Sequence, residues 1–416
     1  MVAINFLNYV DRWVLTGVGP LVQREFHIND FQFGLLAPAF TFVYAVGALP
    51  FGIWADRGDR RRIIGIGVAI WAFATAISGL AASYVQLFLA RAVVGVGEAS
   101  YYPAGTSMLS DYYEKARRSR AMGIWTGGAI VGIAVGYAGG AAVASRFGWR
   151  TAFFLTAIPG VVLAILAFNL REPVRGATEV GAVRVRPEHR ASVKTALQLW
   201  RIPTLRATIL SQMLLFFVLT ANAYWLQFFL TRKFHVSLAV AGLYGGGGIV
   251  LGGIIGSLLG GWLGDWRSRT RPAGNIEVTI WSFVAGAVLS VGALLAPRLA
   301  ITVVLFTIAV TCLSIYNGPF TAVNQNVVVP SMRASAIMMT LLIAHLGGDL
   351  FAPPIVGFLS DTLHSLQTAL LIVSPAALLL AAAIAATGLK SVAGDTQAME
   401  ESWGGIPMPG VQPARA

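Results

Sequence analysis

Two pairs of ionisable residues interrupt apolar segments in the first quarter of the chain. Asp11 and Arg12 lie in the middle of the first apolar segment, and Arg91 and Glu98 lie in the fourth. A charge at the centre of a membrane helix costs at least about 2.5–3.5 kcal/mol, so such residues indicate that a polar or charged species is handled there. Because Arg91 and Glu98 are almost two helical turns apart, they project from nearly the same helix face.

These residue types suit proton exchange and anion binding. Burial favours the neutral form of a carboxylic acid, whereas a nearby arginine favours the ionised form, and a carboxylate subject to both can exchange a proton near ambient pH. We therefore predict that Asp11 and Glu98 are proton-coupling residues. Arg91 is a permanent charge that can bind a phosphate or carboxylate with two hydrogen bonds, and Arg12 is expected to orient its neighbour. The alternative is a buried ion pair that only fixes helix packing.

The composition predicts membrane helices that would position these charges. The 416 residues have a mean hydropathy of +0.71, with 56% hydrophobic and 12% charged residues, which is typical of a membrane protein. Long apolar stretches recur along the chain, and each can cross the hydrocarbon core as a helix. Twelve such spans are predicted, over residues 3–23, 32–55, 63–82, 84–111, 118–145, 150–170, 205–232, 238–264, 274–296, 299–328, 334–360 and 366–389.

The predicted fold is an all-α membrane protein whose twelve transmembrane helices form two pseudo-repeated six-helix halves. The first half covers residues 1–170 and the second covers 205–389. The longest joint, 171–204, is predicted to be a cytoplasmic linker with a short amphipathic helix near its end. Residues 390–416 are polar and rich in Gly and Pro, so we expect a disordered cytoplasmic tail. Two six-helix repeats with a midplane site between them are typical of secondary transporters.

The basic residues predict topology rather than nucleic-acid binding. The net charge is +12, and most of the Lys and Arg residues lie in the joints after even-numbered spans and in the tail. This distribution places those joints and both termini in the cytoplasm of an inner (plasma) membrane protein. No basic patch is interleaved with stacking aromatics, so nucleic acid is not an expected partner. The first span carries Asp11 and Arg12 at its centre, which is unlike a cleaved signal peptide.

A charged motif follows the second span and is partly repeated after the eighth. The first copy reads Gly52-Ile-Trp-Ala-Asp56-Arg57-Gly58-Asp59-Arg60-Arg61-Arg62, and the second reads Gly261-Trp-Leu-Gly-Asp265. An aspartate at a helix end can pair with arginines and hold the two halves together on the cytoplasmic side. The alternative is a solvated turn that only sets topology. The predicted gating residues are Asp56, Arg57, Arg61, Asp111, Arg120, Asp265 and Arg269.

The first copy of this motif resembles the loop 2–3 signature of the major facilitator superfamily. Three further stretches look like the Spinster family: Asn8-Tyr-Val-Asp11-Arg12, Arg91 to Tyr101, and Arg171-Glu-Pro-Val-Arg175-Gly176. The resemblance implies a central cavity lined by spans 1, 4, 7 and 10, and secondary active transport by alternating access. Spinster proteins are linked to export of lysophospholipids and sphingosine phosphates, commonly with proton coupling. The resemblance therefore implies a lipid-like or amphipathic anionic substrate.

Two alternatives to this function remain open at the level of the sequence. One is a proton-coupled transporter of a polar organic anion, a sugar or a drug. The other, from a different class, is an uncoupled lipid scramblase or a membrane receptor. Buried Asp11 and Glu98 favour coupled transport, because a passive pathway gains nothing from titratable groups that are costly to bury.

The seventh and tenth spans offer aromatic and neutral polar side chains without a central charge. Such a wall suits an acyl chain with a modest headgroup, opposite the charged wall from spans 1 and 4. For any single aromatic residue, ordinary helix packing is the alternative. The predicted substrate-binding residues are Arg91, Tyr101, Asn222, Trp225, Tyr316, Asn317, Thr321 and Asn324.

The remaining motifs argue against metal sites and enzymes. His345 and Asp349 lie one turn apart in the eleventh span, but two residues at this spacing do not match a zinc motif, and a structural pair is favoured over a second proton site. The phosphate loop, the nucleophile elbow and the His-Glu-x-x-His motif do not occur, so we expect no enzyme activity, cofactor or metal. The expected partners are the substrate, protons and membrane lipids, and the chain is expected to be a monomer.

Overall fold

The computed structural model describes residues 1–174, 193–329 and 332–404. Within these ranges the regular elements are helices, and no strand occurs in them. Some side chains within the helices also lie outside the description: Leu49, Ile53, Asp56, Arg57, Lys115, Ala116, Ser119, Val193, Lys194, Thr195, Ala196, Ala334, Trp403 and Gly404.

The helices of the first half follow the predicted spans closely. The fifth span consists of two α-helices joined by a π-helical turn, Val135–Gly139. A short helix, Asp30–Gly34, precedes the second span. Spans 1 to 6 are Val2–Phe26, Leu36–Arg57, Arg60–Leu80, Tyr84–Tyr112, Lys115–Ala134 with Gly140–Phe147, and Trp149–Phe168.

The second half repeats this arrangement after a linker helix, Val193–Trp200. Its eleventh span also contains a π-helical turn, His345–Asp349. Spans 7 to 12 are Pro203–Phe234, Leu238–Ser268, Gly274–Leu295, Leu299–Ser314 with Asn317–Asn326, Arg333–Ala344 with Ala352–Leu363, and Leu366–Gly404.

Ten helices in the described part of the chain are long and apolar enough to cross a membrane. The two remaining spans, Val2–Phe26 and Tyr84–Tyr112, have 25 and 29 residues and are therefore long enough as well. They are the two helices that carry the charged pairs identified from the sequence. The all-α membrane fold is confirmed, and the ten apolar helices together with these two fit the expected twelve spans.

A stripe of glycines in the fifth span positions the first span. Gly128, Gly132, Gly136 and Gly140 face residues 2, 6, 10 and 14 of the first span in that order. A Cβ atom at Gly132 or Gly136 would collide with a main-chain carbonyl oxygen of the first span. Because small residues let two helix backbones approach closely, this stripe fixes the rotation of the first span and so the direction of Asp11.

The second half uses the same device between its eighth and tenth spans. Gly252, Gly256 and Gly260 lie against the main chain of Thr307, Thr311 and Ile315 respectively. The tenth span thereby packs tightly on the eighth.

The C-terminal helix corrects one sequence-based expectation. Residues 390–404 were expected to be disordered, but they continue the last helix as far as Gly404. Two contacts explain the extension: the Asp395 carboxylate accepts a hydrogen bond from the main-chain N–H of Thr204 at 2.9 Å, and the side chain of Val392 is buried. Asp395 thus caps the start of the seventh span from another helix. Residues 405–416 of the expected tail lie outside the described residues.

Candidate functional site

The four charges identified from the sequence meet at one place between the first and fourth spans. Arg12 Nε donates to Glu98 Oε2 at 2.5 Å, and Arg91 Nη1 donates to Asp11 Oδ2 at 3.4 Å. The ion pairs are therefore crossed, since each arginine binds the carboxylate of the other span. Thr75 of the third span also donates to Asp11, at 2.8 Å.

The four side chains of this site differ in how much they are exposed. The Asp11 and Glu98 side chains are almost fully buried, and the Arg91 side chain is 2% exposed, whereas that of Arg12 is 24% exposed. Two buried polar atoms of these four residues have no hydrogen-bond partner among the described residues: Oε1 of Glu98 and Nε of Arg91. Glu98 Oε1 is therefore available to accept a hydrogen bond or a proton, and Arg91 Nε is available to donate a hydrogen bond.

Aromatic rings surround the Arg12 guanidinium on the side of the central cavity. Its Cζ atom lies 5.3 Å from the ring centroid of Tyr9, 5.0 Å from that of Phe40 and 4.7 Å from that of Tyr44. Cation–π attraction stabilises a guanidinium in such a position without neutralising its charge. Arg12 can therefore attract an anion while it stays in place.

A cavity of about 770 Å³ lies between the two halves and includes this charged site in its wall. Both arginines line it, and apolar side chains from the fifth, seventh, eighth and tenth spans make up most of the remaining wall. The lining residues with a neutral hydroxyl or amide group are Tyr9, Thr16, Thr41, Thr220, Asn222, Tyr224, Ser257, Ser314 and Asn317. The cavity thus combines a cationic wall with a predominantly apolar interior.

Three of the predicted substrate-binding residues line this cavity: Arg91, Asn222 and Asn317. The Asn222 side chain accepts a hydrogen bond from Ser374, and Asn317 donates one to Ser257, at 2.9 Å each. Arg12 is a lining residue that the sequence reasoning placed in a supporting role only.

The other five predicted substrate-binding residues are not among those that line the cavity. The Tyr101 hydroxyl receives a hydrogen bond from Trp125 and donates one to the main chain of Met1. Trp225 is buried and donates to the carbonyl oxygen of Pro353. The last three lie in the tenth span: Tyr316 packs on Phe216, Asn324 binds Thr208, and Thr321 is exposed.

An aromatic plug closes one end of the cavity. It consists of Phe33 from the first half and Tyr224, Trp225 and Phe228 from the second, with ring centroids 5.3, 6.1 and 4.8 Å from that of Phe33. The Tyr224 hydroxyl also donates to the carbonyl oxygen of Phe33 at 3.0 Å. Since Tyr224 lines the cavity and Phe228 lines a second, larger cavity, the plug separates the two.

Beyond the plug, a cluster of polar residues joins the halves. In this Asp30 cluster the Asp30 carboxylate accepts two hydrogen bonds from Arg232, at 2.6 and 2.7 Å. Gln23 and Ser360 each donate a further one at 2.6 Å. Asp30 is 4% exposed although it lies next to the end of the first span. Bidentate pairing of this kind is among the strongest polar contacts in proteins.

The Asp30 cluster contains a second carboxylate, which belongs to the second half and is bound by the first. Asp361 of the second half accepts hydrogen bonds from the main-chain N–H groups of Asp30 and Phe31, at 3.0 and 2.8 Å. Each half therefore contributes one aspartate that is bound by the other half. No sequence signal singled out these residues, because charges at helix ends ordinarily report only topology.

The larger cavity outside the plug, which we call the vestibule, has a volume of about 1530 Å³. His27, His235 and His364 line it, and each is the residue that directly follows a helix, with a left-handed φ of 50–52°. Arg24 and Lys233 are further lining residues. The vestibule is therefore polar, in contrast to the cavity on the other side of the plug.

Two of the predicted gating residues at the opposite end, Arg61 and Asp111, form ion pairs with residues of the first half. Arg60 is fully buried and binds Asp111 at 2.5 Å and Glu172 at 2.6 Å. Arg61 binds Asp59 at 2.9 Å. Partial burial alone would raise the pKa of Asp59, but hydrogen bonds and charge from Arg61 and Arg62 hold that pKa below its usual value.

Arg60 and Glu172 were not among the predicted gating residues, although both belong to motifs noted in the sequence. The side chains of Asp56 and Arg57 lie outside the described residues. Arg120, Asp265 and Arg269 are exposed, the last two at the end of the eighth span. The predicted gating role of this end stays a prediction.

Comparison with known proteins identifies the family. The model of the Major Facilitator Superfamily matches residues 1–348. The chain belongs to the major facilitator superfamily. This confirms the family predicted from the loop 2–3 motif, and it makes the protein an integral membrane transporter of that superfamily.

The similarity to Spinster proteins is also confirmed. The chain is 29% identical to "Protein spinster homolog 1" of Xenopus tropicalis over 381 residues, which cover 87% of this chain and 72% of the relative. It is 26% identical over 390 residues to the "Probable L-galactonate transporter" of Escherichia coli, covering 88% and 83% of the two chains. Among solved structures, a bacterial homologue of the human lysosomal transporter Spinster, inward-facing and unoccupied, matches with a TM-score of 0.79 and 25% identity over 96% of each chain.

Proposed function

We propose that this major facilitator transporter is proton-coupled and moves a lipid-like or amphipathic anion by alternating access. The observation that carries the proposal is the pair of crossed ion pairs at the wall of the cavity. Both arginines line the cavity, whereas the two carboxylates that neutralise them lie behind it. An anion in the cavity would therefore meet guanidinium groups first, and the apolar remainder of the wall would accept its hydrocarbon part.

The crossed pairs supply a physical route to coupling. An anion bound by Arg12 or Arg91 competes with Glu98 or Asp11 for the same guanidinium. A carboxylate that loses its counter-ion in a buried site is stabilised by taking up a proton. Conversely, a protonated carboxylate frees an arginine for the anion. Proton and anion binding then favour each other, and the unpartnered Oε1 of Glu98 is an available position for the proton.

The contacts between the halves support an inward-open state. The Asp30 cluster and the aromatic plug lie at the end opposite the basic joints, which topology assigns to the extracytoplasmic side. The cavity would then open toward the cytoplasm. The similarity to an inward-facing bacterial Spinster homologue supports the same assignment. Transport requires the Asp30 cluster to separate in the alternate state.

A second candidate substrate is a polar organic anion such as a sugar acid. The 26% identity to a probable L-galactonate transporter over most of both chains favours it. The two arginines suit either class of anion. The apolar wall near Phe216, Leu219 and Ile249 favours the amphipathic one, because a sugar acid would leave it without a complementary surface.

Uptake into proteoliposomes with and without an imposed pH gradient would test the proposal. A panel of lysophospholipids and sugar acids would be compared for the wild type, Arg91→Ala and Glu25→Gln. Glu25 pairs with Arg150 at 2.6 Å within the first half, so its substitution breaks an ion pair away from the cavity. We expect gradient-dependent uptake of a lysophospholipid that Arg91→Ala abolishes and Glu25→Gln retains. Uptake of sugar acids alone would establish the second candidate, and gradient-independent uptake would reject coupling.

A further inference from the structure

The cavity contains a second polar pair of residues, on the wall that the second half provides. His345 and Asp349 line it, and both belong to the π-helical turn of the eleventh span. Their side chains are 49% and 21% exposed, so they are more accessible than Arg91 at 2%. Turns of this kind interrupt the regular direction of side chains along a helix and are frequent at functional sites.

Neighbouring side chains hold this pair in one orientation. His345 Nδ1 lies 2.5 Å from Asp349 Oδ2, and Thr220 donates to Asp349 Oδ1 at 2.7 Å. The ring of Phe216 packs edge-on against the imidazole, with centroids 5.1 Å apart. Each carboxylate oxygen can accept a further hydrogen bond, so Asp349 can still bind a ligand without losing these contacts.

The charges on the two walls of the cavity have opposite sign. Arg12 and Arg91 belong to the first half, whereas Asp349 is the one carboxylate among the described residues that line the cavity. A ligand with only negative charge would be attracted by the arginines and repelled by Asp349. A zwitterion can satisfy both walls, and a buried charge that lacks its partner is costly. Such opposing elements are a physical basis for specificity.

We propose that His345 and Asp349 form a subsite for an ammonium group, so that the transporter selects zwitterionic amphiphiles over purely anionic ones. The inference rests on the proposed amphipathic anion and adds the charge of its second polar group. In this arrangement the anionic group binds the arginines, the ammonium group binds Asp349, and the hydrocarbon chain lies along the apolar wall. Asp349 makes the contact, and Thr220 and His345 position it.

Two matched lysolipids would test the subsite on the full-length protein. Lysophosphatidylethanolamine carries a phosphate and an ammonium group, and lysophosphatidic acid of the same acyl chain lacks the ammonium group. Binding of each to the purified protein in detergent would be measured for the wild type and for Asp349→Asn. We expect the wild type to bind the zwitterion about tenfold more tightly, a difference of about 1.4 kcal/mol. Asp349→Asn should bind both lipids with similar affinity.

Two further variants separate the role of the charge from effects on folding. Thr220→Val removes a hydrogen bond to Asp349 but leaves the carboxylate, and it should retain at least part of the preference. Glu25→Gln should retain all of it. Equal binding of the two lipids by the wild type, or an unchanged preference in a folded Asp349→Asn, would overturn the subsite and leave the proposed function standing. Binding of neither lipid would instead reject the lipid-like substrate, and the subsite with it.

Discussion

Arg12 is bound to Glu98 of the fourth span and not to Asp11, its neighbour in the sequence. The side chains of consecutive residues in a helix point about 100° apart, so Asp11 turns toward Thr75 and Arg91 while Arg12 turns toward the cavity. The consequence is that one helix contributes both a buried carboxylate and an accessible cation. A change at either residue should therefore leave an opposite charge of the fourth span without its partner.

Asp11→Asn should separate substrate binding from proton coupling. Asparagine keeps nearly the same volume and can still accept a hydrogen bond from Thr75, but it does not titrate in this range. We expect the variant to bind the substrate and to exchange it without responding to a pH gradient. Uptake in proteoliposomes with and without the gradient measures this, and thermal unfolding of the same preparation reports stability. Gradient-stimulated uptake in Asp11→Asn would move the coupling role to Glu98.

Arg91→Lys should distinguish charge from geometry at the substrate site. Lysine retains the positive charge but cannot form two parallel hydrogen bonds with a phosphate or carboxylate. We expect weaker binding of an anionic amphiphile, by about tenfold, and complete loss in Arg91→Ala. Arg12→Lys provides the comparison, because Arg12 is the more exposed of the two arginines. Wild-type transport by Arg91→Ala would show that Arg91 is part of the scaffold only.

Asp30→Asn should destabilise the closed end of the cavity. The substitution removes the charge that binds Arg232, and a hydrogen bond to a charged group contributes about 1.5–3 kcal/mol. We expect the population to shift at least tenfold toward an opening at this end. Spin labels at positions 27 and 364, which lie on opposite halves and line the vestibule, would report the separation.

The matched control for this experiment is Glu25→Gln. Glu25 lies at the same end, but its partner Arg150 belongs to the same half, so its loss should leave the label distances unchanged. Identical distance distributions for Asp30→Asn and the wild type would show that the aromatic plug alone keeps this end closed.

Asp56→Asn should shift the population in the opposite direction. The predicted latch on the basic side holds the outward-open state together, so weakening it favours the inward-open state. A loss of about 1.4 kcal/mol corresponds to a tenfold change in the ratio. The labelling rate of a cysteine at position 257 in a Cys312→Ala background would measure this, since Ser257 lines the cavity and Cys312 is the single native cysteine. An unchanged rate would argue that the motif sets topology only.

Asp395→Ala should lower stability without affecting coupling. It removes the acceptor for the main-chain N–H of Thr204 and so leaves the start of the seventh span uncapped. Loss of a helix cap costs about 1 kcal/mol. Thermal unfolding in detergent would detect the difference, while proton-driven uptake per folded molecule should stay at the wild-type level. If the variant were as stable as the wild type, the extension of the last helix would contribute little to the stability of the fold.

The periodic and compositional parts of the structure were predictable from the sequence. Apolar length gives the spans, and four glycines at a spacing of four residues in the fifth span indicate close packing. The cost of burying charge singled out Asp11, Arg12, Arg91 and Glu98, and the family resemblance implied that their two spans line one cavity. Their crossed pairing was not predictable, because it depends on how far the first span is rotated relative to the fourth.

Contacts between distant residues at helix ends were not predictable. Asp30, Arg232 and Asp361 are separated by more than a hundred residues from one another, and single charges at helix ends carry no spacing signal. His345 and Asp349 were expected to form a structural pair because they lie one turn apart. The two residues do form a pair, and both also line the cavity, which a hydropathy pattern does not indicate.

The way in which Asp361 is bound has a consequence for sequence divergence. Its carboxylate accepts hydrogen bonds from main-chain N–H groups, which every residue except proline provides. On that side of the contact, position 31 is free to change its side chain while the hydrogen bond persists. Arg232 and Asp30, in contrast, depend on each other's side chains, so a change in either requires a change in both. The same interface thus contains one contact that tolerates mutation at position 31 and one, between Asp30 and Arg232, whose two residues must change together. Only the second contact would leave a correlated signal in an alignment.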